Sequence, residues 1–339
     1  MFIRHSVYNL SHMRILSGIQ PTNILHIGNY FGALKPAVEL QKEHDLTMLI
    51  VDLHAITVPQ NPIELSNNIA FATAAYLAAG IDPKRATIVQ QSRISAHAEL
   101  GWIMQCVARM GEVERMIQFK DKAKSKGQNV SVGLFTYPVL QAADILLYDA
   151  VGVPVGEDQR QHIELARDLA ERFNRDFGET FVIPKPMIAE HGAKLLGLDN
   201  PEKKMSKSSP TPKNYISLMD EADVIRKKIR SAVTDSEPTV RYDEARPGVA
   251  NLLSILSLIE GRSVFAVADE YVDKGMKDLK DDVAEALIVH LTPLQAEIAG
   301  YLKHRDELEK VIAEGSARAG AIAGAKIAEV KQKMGLTLA

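Results

Sequence analysis

Four short runs of β-branched and aliphatic residues, Arg14–Ile19, Thr47–Asp52, Thr87–Gln91 and Gly152–Val155, are each separated by enough chain to hold a helix. Consecutive parallel strands need such crossovers, whereas antiparallel ones close with short turns. The spacing therefore predicts βαβ units and a parallel sheet, an α/β fold. Phe181–Ile183 is a weaker fifth strand. Helical patterns run over roughly 29–43, 63–79, 96–119 and 158–174, the second ending in Gly80 and Ile81, a C-cap with its apolar follower.

Past about residue 208 the strand signals stop. "SSPTPKNY" (208–215) is a turn-rich boundary, and the remainder reads as helical. Thr292, Pro293, Leu294 and Gln295 resemble a helix start with an N-cap, a proline at N1 and a capping-box glutamine. Leu294, Ile298, Leu302, Leu308 and Ile312 then recur on or near one helical face. The expected organisation is an extension over 1–12, an α/β domain over 13–209 with an inserted helical segment at about 60–130, and an α-helical domain over 210–339.

Composition narrows the function classes. A net charge of −3 gives no global attraction to nucleic acid, so such a partner must be held by local basic patches. One patch is "VIRKKIRSA" (224–232), whose density of cations would suit a nucleic-acid backbone and more often marks a solvated helix face. No apolar run approaches the ~20 residues a membrane span needs, and no membrane partner is expected. The single cysteine, Cys106, excludes an internal disulfide or thiolate cluster and suits a reducing cytoplasm, the expected location. The ten histidines show no metal-ligand spacing, so no protein-bound metal is expected.

Two stretches carry chemistry. "HIGN" (26–29) follows the first strand and opens a helix, the place where nucleotides bind on open parallel sheets, because free N–H groups and the dipole's positive end face phosphate. Gly28 permits close backbone approach, and His26 and Asn29 can donate hydrogen bonds. The usual G-x-G-x-x-G is absent, which argues against a dinucleotide enzyme. "KKMSKSS" (203–209) sets three lysines and three hydroxyls in a loop that can swing against a polyphosphate.

Together these stretches resemble the HIGH and KMSKS signatures of class I aminoacyl-tRNA synthetases. Within that class the chain is similar to the bacterial tryptophanyl branch, through "SGIQPT" (17–22), "HIGNYFGAL" (26–34), "IVDLHAIT" (50–57), "GEVERMIQFKDK" (111–122), "YPVLQAADILLYD" (137–149), "VPVGEDQRQHIELARDLAERFN" (153–174), "KKMSKS" (203–208) and "AVTDSE" (232–237). The resemblance implies a Rossmann-like catalytic domain followed by a helical anticodon-binding domain. It also implies a homodimer acting on L-tryptophan, ATP with Mg²⁺, and tRNA(Trp).

Residue by residue, it implies that Gln20, Pro21, Thr22, His26, Gly28 and Asn29 line the ATP site. Gly156, Glu157 and Asp158 are expected at the ribose side, and Leu195 at the adenine. Lys204, Met205, Ser206, Lys207 and Ser208 make up the lysine loop. Lys122, Lys204 and Lys207 are the expected catalytic cations facing the triphosphate.

Tyr137, Gln141 and Asp144 lie at i, i+4 and i+7, on one helical face, and are the expected tryptophan-binding residues with Gln159 and His54. An indole offers one N–H donor and no acceptor, so a single carboxylate, Asp144, in an apolar pocket matches it. A phenol needs a donor and an acceptor, which Gln141 and Asp144 could supply. "HIGN", "VGEDQRQH" and the unmodified "KMSKS" are tryptophanyl in character and favour tryptophan over tyrosine.

Overall fold

The computed structural model describes residues 12–22, 24–116, 130–188, 195–207 and 209–338. Five parallel strands form its centre: β1 (Arg14–Ile19), β2 (Asp45–Ile50), β3 (Thr87–Gln90), β4 (Gly152–Pro154) and β5 (Lys185–Met187), in the order β3-β2-β1-β4-β5. β1 pairs with β2 over six positions, Arg14↔Asp45 to Ile19↔Ile50. The chain moves outward from β1 first on one side, then returns to β4 on the other. The crevice at the carboxyl ends of β1 and β4 is thus the topological switch point of the sheet.

Helices cover the sheet. From Ile27 the chain coils through α1 (Ile27–Asn29), a π-helical segment (Tyr30–Leu34) and α2 (Lys35–Leu40). Then come α3 (Asp52–Ala55), α4 (Pro62–Ala78), α5 (Ala96–Val107), α6 (Met110–Glu114), α7 (Val132–Leu146) and α8 (Arg160–Phe177). The expected 96–119 helix stops at Val107, because Ala108 and Arg109 take extended backbone angles; residues 117–119 lie outside the described part. The run expected as a strand at Thr47–Asp52 begins earlier, at Asp45, and Asp52 already belongs to α3. The weak fifth strand forms at Lys185–Met187 instead of Phe181–Ile183. There Phe181 packs its ring against Phe173 of α8 at 4.9 Å, so core packing rather than sheet pairing uses its apolar side chain.

The second half is helical: α9 (Ala222–Arg230), α10 (Pro247–Glu260), α11 (Val264–Asp269), α12 (Met276–Lys303) and α13 (Arg305–Lys333). No helix starts at Thr292; α12 runs straight through Pro293 and the chain bends at His304. The missing proline N–H would have bonded the carbonyl of Val289, a residue 73% exposed, where water can take its place. Gln295 does not cap: its Nε2 donates to the carbonyls of Leu218 (2.8 Å) and Asp220 (2.9 Å). Leu308 and Ile312 accordingly sit on α13, not on one face with Leu294.

The basic run 224–232 is largely consumed within the fold. Arg226 pairs with Glu285 and Asp223, Arg230 with Asp281, and Lys228 is buried against Asp220 at 2.6 Å. The last helix, α13, lies on β3: a Cβ on Gly315 would stand 1.8 Å from the carbonyl oxygen of Ile88. Ile312, Ala319 and Ala323 of α13 are buried in the cores on the sheet.

Candidate active site at the switch point of the sheet

The turn after β1 is organised by reciprocal hydrogen bonds. His26 is the N-cap: its Nδ1 accepts the Gly28 N–H at 3.1 Å, while Asn29 Oδ1 accepts the His26 N–H at 3.1 Å. The imidazole and amide that sequence offers as ligand donors thus hold the helix start together. With Nδ1 accepting, the neutral ring carries its proton on Nε2 and can still donate there. Burial, then the charges of Lys207 and Lys204, push the His26 pKa down to about 4, so the ring is uncharged near neutrality.

The lysine loop docks on this turn. Ile27 N donates to Ile216 O (3.0 Å) and Leu218 N to Leu25 O (2.8 Å), stitching the chain beyond the loop to the first turn. Met205 is buried with Leu195 and Ile27 in one core cluster, and its sulfur stands 4.0 Å from a Cβ built on Gly28. Asn214 Oδ1 accepts the Ser206 N–H at 2.8 Å and so holds the loop backbone. Lys204 reaches Asp158 Oδ1 at 3.5 Å, beside Gly156, and both residues follow β4. Lys207 is half-buried; burial lowers its pKa to about 8, and no carboxylate among the described residues pairs with it.

Other expected ATP-side residues stand as follows. Gln20 is exposed and Pro21 buried just past β1, and the Thr22 hydroxyl donates to Ile24 O at 3.2 Å. Glu157 forms a two-point pair with Arg160 at 2.6 and 2.9 Å on the surface. The Leu195 side chain belongs to the core beside Ile27. Lys122 and Ser208 lie outside the described residues.

The second half of the site centres on Asp144 of α7, 2% exposed. His54 Nε2 donates to Oδ2 and His97 Nδ1 to Oδ1, each at 2.7 Å, and Gln91 Nε2 reaches both oxygens at 2.8 and 2.9 Å. Burial pushes this carboxyl up, but the hydrogen bonds and charges of His54 and His97 bring it down to about 2. Tyr137 is buried against His162, its hydroxyl 3.1 Å from Nε2, with the His54 ring edge-on at 6.1 Å; burial raises the phenol to about 12. Gln141, half-buried, lies one turn from Tyr137 on the same helix face. Gln159 donates to Asp158 Oδ2 at 3.1 Å.

The N-terminus of α8 joins the two halves. Asp158, just before it, meets Lys204, and His162, within its first turn, meets Tyr137. Sequence reasoning missed Gln91, His97, Tyr148 and His162. Gln91 had a usable signal, its place just past the carboxyl end of a parallel strand; Tyr148 had another, lying i+4 from Asp144.

Comparison with known proteins agrees with this geometry. Residues 9–292 match the family described as tRNA synthetases class I (W and Y). A tryptophan–tRNA ligase of Caldanaerobacter subterraneus subsp. tengcongensis is 51% identical, over 96% of this chain and 99% of that protein. The fold matches a crystal structure of tryptophanyl-tRNA synthetase from Mycoplasma pneumoniae with a TM-score of 0.89 at 34% identity, over 96% of this chain and 98% of that one. The Campylobacter jejuni enzyme, complexed with ADP and tryptophan, matches with a TM-score of 0.82 at 36% identity, over 95% of this chain and all of that one, a coverage of 100%.

Proposed function

The chain belongs to the class I tRNA synthetases for tryptophan and tyrosine, and from that premise we propose that it is a tryptophan–tRNA ligase whose two half-reactions run at the switch point of the sheet. In the first, the carboxylate of L-tryptophan attacks the α-phosphorus of ATP, giving tryptophanyl-adenylate and releasing pyrophosphate. In the second, the 2′-hydroxyl of the terminal adenosine of tRNA(Trp) attacks the adenylate carbonyl, and AMP leaves.

A carboxylate is already ionised at pH 7, so the first step needs no general base. Its barrier falls through alignment and through charge placed on the transferring phosphoryl group and the leaving pyrophosphate. His26 Nε2, Lys204 and Lys207 supply that charge and hydrogen bonding, with Lys122 as a further cation by resemblance. Gly28 and Gly156 allow the nucleotide to lie close to the backbone, with Gln20, Pro21, Thr22, Asn29, Glu157, Asp158, Leu195, Met205, Ser206 and Ser208 around it. Asp144 receives the indole N–H, with Tyr137, Gln141, His54 and Gln159 lining the amino acid.

ATP enters as its Mg²⁺ complex. The ion would be held mainly by phosphate oxygens and water, the ligands Mg²⁺ usually keeps beside a polyphosphate. We assign 13–209 to catalysis and the helical 210–339 to the tRNA anticodon, α13 tying the second part to the sheet. The working unit in this reading is a homodimer; Trp102 of α5, 67% exposed, is apolar surface that such a contact would cover.

The observation that carries this reading is Lys207: a half-buried ammonium without a carboxylate partner among the described residues, beside the uncharged N-cap histidine of the turn after β1. ATP–pyrophosphate exchange with each amino acid in turn tests it. Exchange with tryptophan is expected; exchange with tyrosine alone overturns the substrate, and exchange with none overturns the reaction.

A further inference from the structure

The carboxylate of Asp144 is far more heavily held than recognition of one indole N–H requires. Gln91 and His97 are both 0% exposed and approach it from the core, whereas His54, with 12% of its side chain exposed, stands on the open side. The two core partners are each fixed by a further bond. Gln91 Oε1 accepts the Leu53 N–H at 3.0 Å, which settles the orientation of its amide and turns the NH₂ group toward Asp144. His97 Nε2 lies 2.7 Å from the hydroxyl of Tyr148, which is buried at the end of α7 one turn beyond Asp144. With Nδ1–H committed to the carboxylate, the ring's other nitrogen is bound to Tyr148, so both edges of His97 are held.

A carboxylate has about four acceptor directions, and Gln91, bridging both oxygens, meets all four together with His54 and His97. Gln91 and His97 close the core side, so the direction a substrate N–H can take is the one on the open side, held here by His54. A free carboxylate could rotate and accept from many ring substituents; one pinned at both oxygens accepts along a single line.

We propose that Gln91, His97 and Tyr148 are positioning residues for the amino acid, holding Asp144 so that the acceptor direction on its His54 side selects a substrate ring bearing an N–H. The inference rests on Asp144 receiving the indole, as in the function above. Tyr148 acts at two removes: its hydroxyl fixes the tilt of His97, and His97 fixes Oδ1.

The test is tryptophan-dependent ATP–pyrophosphate exchange by the full chain, as wild type, Tyr148→Phe, His97→Asn and His97→Leu. Each is also measured for inhibition by β-(3-benzothienyl)-alanine, an isostere with sulfur in place of the N–H. Tyr148→Phe should raise KM for tryptophan roughly 5- to 10-fold, the loss of about one hydrogen bond, with kcat and KM for ATP within about twofold. The inhibition constant of the sulfur isostere should stay near the wild-type value, since it makes no bond to Asp144. His97→Asn, whose amide can still donate from near the Nδ1 position, should retain most of the preference that His97→Leu loses. A folded Tyr148→Phe with unchanged KM for tryptophan overturns the proposal, as does an equal loss for tryptophan and the isostere. Should His97→Leu not fold, the Tyr148→Phe comparison decides alone. Wild-type protein that exchanges with no amino acid defeats the functional reading instead, a result separable from either.

Discussion

Lys204 Nζ stands 3.5 Å from Oδ1 of Asp158, joining the lysine loop to the turn that leaves β4. Both side chains are about half exposed, so the pair adds at most about 1 kcal/mol to stability. In the proposed reaction its placement matters more than its strength, since the triphosphate would displace the carboxylate and take the cation. Lys204→Ala should therefore leave the chemical-denaturation midpoint nearly unchanged while lowering the single-turnover rate of adenylate formation by about 10²-fold or more. A large stability loss with a proportionate activity loss would show that the residue is structural.

Lys207 makes the opposite bargain with the fold. Its charged form is disfavoured by burial, with a pKa of about 8 against about 10.4 in an unfolded chain. Between those values the folded chain binds fewer protons than the unfolded one, so through this group stability rises as pH increases across the window. ATP recruitment should behave in the reverse sense, since phosphate needs the charge. KM for ATP should be flat below about pH 8 and rise above it, and Lys207→Met should remove that rise while leaving stability at pH 7 equal or higher. A wild-type profile flat from pH 6.5 to 9.5, measured by exchange, would sink this assignment.

Gly28 is held to hydrogen by its own N-cap. A Cβ there would lie 2.9 Å from both Cε1 and Nδ1 of His26, and turning the ring away breaks the bond from Gly28 N–H to Nδ1. Gly28→Ala should destabilise the protein by about 1 kcal/mol, the worth of a cap, and raise KM for ATP because Nε2 moves with the ring. KM for tryptophan should not follow. Thermal unfolding and the two Michaelis constants check all three points.

What could be read in advance follows the range of the interactions. The alternation of apolar runs and helical patterns is local, and it located β1, β3 and β4 within a residue or two. The meeting of "HIGN" and "KMSKS" was legible through resemblance alone, since nothing local announces that residues 25–27 pair with 216–218. Pro293 misled because its helix-breaking character depends on whether the orphaned carbonyl can reach water, which only the fold decides. Phe181 misled because an apolar run shows burial and not the partner that buries it. That they hold Asp144 was hidden for the same reason, although His54 was among the expected tryptophan-binding residues: Gln91, His54 and His97 are 53, 90 and 47 residues away from it along the chain.

The final helix offers a prediction of opposite signs within one element. At Gly315 a Cβ would fall 1.8 Å from the oxygen and 2.8 Å from the carbon of the Ile88 carbonyl, both backbone atoms of a strand held in the sheet. They cannot give way, so α13 must back off β3 and loosen the burial of Ile312 and Ala319. Gly315→Ala should destabilise by about 1–3 kcal/mol or more. Because β3 leads directly into Gln91, KM for tryptophan should rise in this variant more than KM for ATP. Gly324, about two and a half turns on in the same helix, has nothing within 4 Å of a Cβ. There Gly324→Ala should stabilise by up to about 1 kcal/mol through helix propensity alone, with both Michaelis constants unchanged. Urea unfolding of the two variants side by side decides the matter, and equal effects at the two positions would mean that α13 does not press on the strand as described.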